Sequence, residues 1–392
     1  MQPETPSYLT HLECPECGQH FDADQPQSIC ERCNSPIFAC YDLPALKHSL
    51  TREQVRARTK GTWRWAELLP VRQEAHRISL GEGDTPLLQA PQLAEWLGLH
   101  HLYIKDEGLN PTGSFKARGL QMAVARAVEL GLREFVIPTA GNAGGALAAY
   151  AARCGALAHI YMPRDAPSST MEEVKGYGMD LHLVDGLISD AARIAKVEAA
   201  GRGWWDVSTF KEPYRPEGKK VMGLELAEQF GYDLPEVIIY PTGGGTGLVG
   251  MWRAFEQLEA LGWIGSKRPR FVSVQPHGCS PLVRAFQQGD ERVTFFENAH
   301  SIAGGIRVPG IFADRPILRM LRACGGTALS VSDEEMVDFQ KRLAEKDGLL
   351  ASYESAATAA ALAHLVEQGW VQPDERVVLF STASGLKYLD HE

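Results

Sequence analysis

The chain has 392 residues, 44% of them hydrophobic and 22% charged, with 38 glycines. That supplies apolar material for two or three cores and excludes a single small domain. A formal charge of −10 weighs against nucleic acid or an anionic membrane as partner, while leaving room for a local basic pocket that holds a phosphate.

The opening "MQPETPSYLTHLE" lacks a signal-peptide core, and no apolar run reaches the roughly 18 residues of a membrane helix, so a cytoplasmic protein is expected. Next come Cys14-Pro-Glu-Cys17 and Cys30-Glu-Arg-Cys33, two CxxC pairs separated by 12 residues. Four thiolates at this spacing suit one tetrahedral zinc in a closed, structural site; two disulfides are the alternative. Cys40, Cys154, Cys279 and Cys324 are scattered and carry no assigned role. The stretch "YDLPALKHSLTREQVRARTKGTWRWAELLP" reads as a helical connector, set off by Pro44 and Pro70.

From about residue 100 short apolar runs alternate with helical segments. "HLYIKDE", "EFVIPT", "AHIYMP", "DLHLVD", "WWDVST", "EVIIYPT", "RFVSVQP" and "RVVLFST" read as strands; "LQMAVARAVELG" and "GGALAAYAARCG" read as helices. This predicts an α/β protein with open parallel sheets covered by helices, whose ligand sits beyond the carboxyl ends of the strands. Trp204 and Trp205 read as core. The twelve histidines show no HExxH or other close ligand pair, so no catalytic metal is expected.

Three loops stand where a ligand would. In "LNPTGSFKARG", Ser114 is the expected N-cap, which sets Lys116 in the first helical turn beside Phe115. A cation is disfavoured at that end of the helix dipole. An ordinary surface lysine would pay only a small local cost there, but a lysine that must be unprotonated to attack an aldehyde gains from the placement and from a dry aromatic wall. Thr139-Ala-Gly-Asn142-Ala-Gly-Gly145 again joins a strand to a helix; Asn142 is either a cap or an amide donor to a ligand oxygen. Pro241-Thr-Gly-Gly-Gly-Thr-Gly-Leu248 follows "EVIIY" and opens a helix, so backbone N–H groups converge there on what a phosphate would fill. It contains a formal GxGxxG, Gly245 to Gly250, but the next strand ends in Gln275 where a dinucleotide site calls for an acid, and no Lys-Ser/Thr pair follows as in a P-loop. A tight turn without ligand is the remaining alternative.

Taken together and in order, "EGLNPTGSFKARG", "PTAGNAGGALAAYAARCG", "KEPYRPEGKKVMG", "YPTGGGTGLVGMWRAF" and "FSTASGLKY" resemble the threonine synthase family. These are pyridoxal phosphate enzymes of the tryptophan-synthase-β-like fold. The likeness extends to the cysteine knuckle, "YDL", "LGEGDTPLL" and "VQPHGCSP". The resemblance implies that Lys116 forms the Schiff base with the cofactor and that Asn142 contacts its 3-hydroxyl. Gly243, Gly244, Gly245, Thr246 and Gly247 would cradle its phosphate, and Thr382 or Ser384 would meet its pyridine nitrogen. A hydroxyl there makes a tempered electron sink suited to elimination and replacement. The implied substrate is O-phosphohomoserine, with Ser114, Thr139, Arg193, Arg215 and Lys219 as candidates to bind it. A threonine or serine dehydratase, or another β-replacement enzyme of the same fold, is the alternative, and a non-catalytic binding relative the second. Two departures bear on the substrate pocket: "GNAGG" lacks the hydroxyls that some members carry after the asparagine, and "SYESAAT" replaces the more familiar "PEGAAT". The implied organisation is a zinc-ribbon-like knuckle over 1–46, a large cofactor domain over 47–113 and 207–392, and a smaller α/β domain over 114–206. No nucleic acid or membrane partner is expected, and a homodimer is left open.

Overall fold

Strands that are apolar along their whole length must be covered on both faces, and the chain obeys this where its longest runs fall. β12 (Val237–Pro241) is buried at every position, and β15 (Arg376–Ser381) at all but its first. The computed structural model describes residues 6–186 and 188–389. Its main sheet has six strands in the order β14 (Thr327–Val331), β13 (Arg270–Pro276), β12, β15, β7 (His101–Asp106), β6 (Leu87–Gln89). All pair in parallel except β6, which runs antiparallel to β7 at the edge. A second sheet is fully parallel, in the order β10 (Asp180–Val184), β9 (Leu157–Pro163), β8 (Glu134–Pro138), β11 (Trp205–Asp206).

Each of the eight expected strands is present, with β11 cut to two residues. β6 and β14 were not foreseen. Both lie at sheet edges and are only partly buried, so neither carries the continuous apolar run that marks a central strand. Trp205 is in the core as expected, while Trp204 packs at the margin of a smaller cluster around Val136 and Tyr161.

The N-terminal segment forms a three-stranded antiparallel sheet, β2 (His20–Phe21), β1 (Leu9–Glu13), β5 (Phe38–Tyr41), with a small hairpin of β3 (Ile29–Cys30) and β4 (Ser35–Pro36). The connector is helical over Leu43–Ser49 and Arg52–Arg56, followed by a 3-10 stretch at Thr62–Leu68. Among the described residues no helix is long and apolar enough to cross a membrane.

A charged network lies under the main sheet. Lys105 and Glu107 at the end of β7, Arg118 and Glu225 are each at most 1% exposed. Arg118 binds Glu107 at 2.5 Å and Glu225 at 2.7 Å, and Lys105 reaches Glu225 at 2.9 Å. Two cations and two anions cancel, which is the condition for burying them at all. The network ties β7 to the helices Lys116–Glu129 and Arg215–Gln229, and so anchors the helix that begins with Lys116.

Candidate active site

The loops after β8, β12 and β15 and the start of the helix Lys116–Glu129 meet around two adjoining cavities. Lys116, Asn142, Thr209, Gly244, Gly305 and Tyr388 line both. The narrower cavity also holds Gly243, Gly245, Thr246, Glu354 and Thr382; the wider, of about 360 Å³, opens past Thr139, Arg215 and Arg307.

Lys116, Asn142 and Thr246 are each the first residue of a helix, and none of those helices has a side-chain cap. Unpaired N–H groups and the positive ends of three dipoles therefore face one volume. Ser114, the expected cap, is fully buried with its Oγ unpartnered, and the residue before the helix is Phe115. The N-cap expectation for Ser114 is thus corrected: its extended backbone bridges to Ala383, which carries the hydroxyl away from the first turn. Asn142 is not a cap either, since its Nδ2 donates to Tyr388 Oη at 2.8 Å.

Burial, and then the Arg215 charge, bring the Lys116 amine down from 10.5 to about 8, against the pull of Glu354. Its Nζ lies 4.7 Å from the centre of the Phe115 ring. Lys219 sits behind it, held well below its ordinary value by burial and by Lys116 itself, and donates to the Phe115 carbonyl. Glu354 Oε1 accepts the Gly305 N–H at 2.8 Å. The Tyr388 phenol is held well above its ordinary value by burial and the Glu354 charge, so it stays protonated.

The glycine loop has two separate reasons for its composition. Gly245 has φ +81°, a left-handed conformation that a side chain would strain. Gly247 does not line the cavity; a Cβ there would stand 2.1 Å from Tyr240 Oη, so its glycine answers to packing. Of the two hydroxyl candidates, Thr382 lines the narrow cavity, whereas Ser384 Oγ accepts the Leu386 N–H in the following 3-10 turn. Thr139 lines the wider cavity and its Oγ1 accepts the Gly141 N–H. Arg215 is 1% exposed and donates to the Val207 carbonyl at 2.7 Å. Arg193 is elsewhere: its side chain is 69% exposed, 3.5 Å from Asp190, on the solvent side of the helix Ile188–Ala199.

Sequence reasoning missed Glu354, Tyr388, Thr209 and Arg307. Glu354 and Tyr388 lie inside stretches already singled out, "SYESAAT" and "FSTASGLKY", but nothing local marks them as cavity residues. The departures are resolved in part. Tyr353 and Glu354 of "SYESAAT" both reach the cavities, and at Gly145 of "GNAGG" a Cβ would meet Glu173 Oε2 at 2.0 Å.

These residues fit a pyridoxal phosphate. A lysine with a lowered pKa could hold an aldehyde, the glycine loop at an uncapped helix start could take a phosphate, and Asn142 and Thr382 offer partners for ring substituents. Separately, the sulfurs of Cys14, Cys17, Cys30 and Cys33 lie within 4.8 Å of one another, unbridged, with Cys17 and Cys30 at 3.9 Å. Tetrahedral zinc, at about 2.3 Å from each sulfur, separates its ligands by roughly 3.8 Å, so the four thiols could hold a metal.

Comparison with known proteins agrees with this geometry. Residues 78–383 match the family model "Pyridoxal-phosphate dependent enzyme". Threonine synthase of Methanocaldococcus jannaschii is 34% identical over 375 residues, covering 95% of this chain and 92% of that protein. Threonine synthase of Methanosarcina acetivorans is 32% identical, covering 97% and 92%. Among solved structures, maize serine racemase superposes with a TM-score of 0.68 at 24% identity, covering 77% of this chain and 88% of that one. A threonine deaminase from Solanum lycopersicum gives 0.67 at 21%, covering 76% and 83%. The two structures share the fold, and the family model and the curated relatives go further: the chain belongs to the pyridoxal-phosphate dependent enzyme family, alongside the threonine synthases.

Proposed function

We propose that the chain is a threonine synthase, a lyase that converts O-phosphohomoserine and water into threonine and phosphate. The observation that carries this reading is the charge of the wider cavity. Arg215 and Arg307 both line it, and among the described residues neither makes an ion pair. Lys116 adds a third cation, against the exposed Asp165 of the wider cavity and Glu354 of the narrower one. The buried Arg215 feels the Glu212 and Asp206 charges without an ion-pair contact to either, and a dianionic substrate phosphate would meet both guanidinium groups through bidentate hydrogen bonds. A threonine or serine substrate has no such group to offer.

Pyridoxal phosphate supplies an electron sink that acidifies the substrate Cα. Within that chemistry Lys116, with its pKa lowered, takes the Cα proton and later returns it. Arg215 and Arg307 hold the phosphate as the Cγ–O bond breaks. Asn142, held by Tyr388, would meet a ring substituent of the cofactor, and Glu354 lines the narrow cavity with Lys116. Overall, protons leave Cα and Cβ, phosphate leaves Cγ, Cγ gains a proton, water adds its oxygen to Cβ, and Cα is reprotonated. The smaller unit of this reading is residues 114–206, which carry β8 to β11.

In heavy water the threonine formed should carry deuterium at Cα and in its methyl group. In oxygen-18 water the label should enter the threonine hydroxyl and be absent from the phosphate. Homoserine with labelled phosphate would mean a phosphatase. Keto acid and ammonia from threonine, with O-phosphohomoserine untouched, would make the chain a dehydratase.

For the knuckle the reading is one structural zinc on Cys14, Cys17, Cys30 and Cys33. Metal analysis of reduced protein should give about one zinc per chain, four thiolates being a closed set. Cys30→Ser should lower the melting temperature while leaving kcat per folded molecule unchanged; metal-free protein of full stability would refute the assignment.

A further inference from the structure

The second sheet carries an unexplained cluster on one face of β9 and β10, made of residues that do not line the cavity. Asp180 opens β10 and pairs in register with His159 on β9; His182 pairs with Tyr161. Side chains two apart share a face, so His159 and Asp180 stand side by side with His182 next along. One donor atom from each lies within 4.8 Å of the others.

The hydrogen bonding does not close. His159, 7% exposed, has Nδ1 at 3.1 Å from Asp180 Oδ2 and Nε2 at 3.8 Å from Glu134 Oε2. With the ring proton on Nδ1 that atom faces Asp180, and Nε2 is left facing Glu134 beyond hydrogen-bond distance. Nε2 of His159 and Nε2 of His182 are both buried without a partner. A divalent cation could use these groups: it takes the Nδ1 lone pair together with Asp180 and His182, and leaves Nε2–H facing Glu134, 3.8 Å away. That is the carboxylate–histidine–metal arrangement in which an outer carboxylate orients the ligand. Both rings are held in place by stacking. His159 lies on Trp204 at 3.6 Å and 13°, and His182 on Tyr161 at 4.4 Å and 8°. Arg202, 4.9 Å from the Trp204 ring, steadies that indole and is itself paired with Glu198.

We propose that His159, Asp180 and His182 bind one divalent transition-metal ion of the Zn²⁺, Co²⁺ or Ni²⁺ type, with Glu134 as the outer partner of His159. Two imidazoles and a carboxylate on rigid strands suit these borderline ions rather than Mg²⁺ or Ca²⁺. The site clamps β9 to β10 through residues that do not line the cavity, and its existence does not depend on the reaction proposed above.

The test is calorimetric titration of Ni²⁺ into the holoprotein with its knuckle already loaded with zinc. One saturable site is expected. His182→Ala and Asp180→Ala, each with unchanged melting temperature and cofactor absorbance, should abolish it. Glu134→Gln should weaken it by about 10-fold or more, as loss of an outer-shell partner does. The absence of saturable binding, or equal affinity in His182→Ala, overturns the proposal. So does loss of binding in His20→Ala instead, which would put the ion on the partly exposed His11, Glu13 and His20 group.

Discussion

Lys116→Ala should lower kcat/KM by about 10²–10⁴-fold, the range for loss of a positioned general base. It should also abolish the cofactor link that borohydride fixes to the chain. Two independent features of the structure predict this. The amine opens into the cavity that the glycine loop also lines, and its pKa is brought to about 8 by burial and the Arg215 charge. A lysine at 10.5 would be almost wholly protonated at neutral pH, whereas one at about 8 offers a substantial fraction of free amine. In cofactor-free protein, labelling of Lys116 by an amine reagent should therefore rise with pH through about 8, well ahead of surface lysines. Lys219 is the sharp control, because it too is buried and depressed. Peptide mapping of the reduced protein that found the pyridoxyl group on Lys219 would exchange the roles of the two residues.

Arg118→Leu should destabilise the fold by about 3–5 kcal/mol, the cost of stranding buried charge. The substitution leaves Glu107 and Glu225, each at most 1% exposed, with only Lys105 to balance them. The sign of the pH dependence follows. Despite their burial, the Arg118 charge depresses Glu107 below its ordinary value, and Arg118 with Lys105 does the same for Glu225. In the native protein this contribution is present above the unfolded carboxylate value of about 4.3 and is lost as pH falls below it. In the variant at least one carboxylate rises instead and takes up a proton, so the deficit relative to the native protein should shrink as pH is lowered from 7 toward 5. Urea unfolding at both values measures it. A loss under about 1 kcal/mol at pH 7 would show that the network is not what holds the helix of Lys116 to β7.

What was legible in the chain was local. The CxxC spacing, the glycine run after "EVIIY" and the lysine behind Asn-Pro-Thr-Gly-Ser each specify chemistry within a few residues, because a helix start, a missing Cβ and a pair of thiols act at short range. The central strands were legible for a similar reason: burial on both faces demands an unbroken apolar run, and β12 and β15 have one. Distance along the chain defeated the rest. Whether an arginine faces the cavity or the solvent depends on how its element packs; Arg193 turned outward, while Arg215 and Arg307 turned in. Ser114 lost its cap to a bridge with Ala383, and Gly247 owes its glycine to the Tyr240 hydroxyl. Glu354 and Tyr388 reach Lys116 and Asn142 from the far end of the chain. Local chemistry in the chain marks which groups can react and where helix-start N–H donors converge; which charges meet around one cavity follows from packing, because packing and not local propensity sets the direction of each side chain.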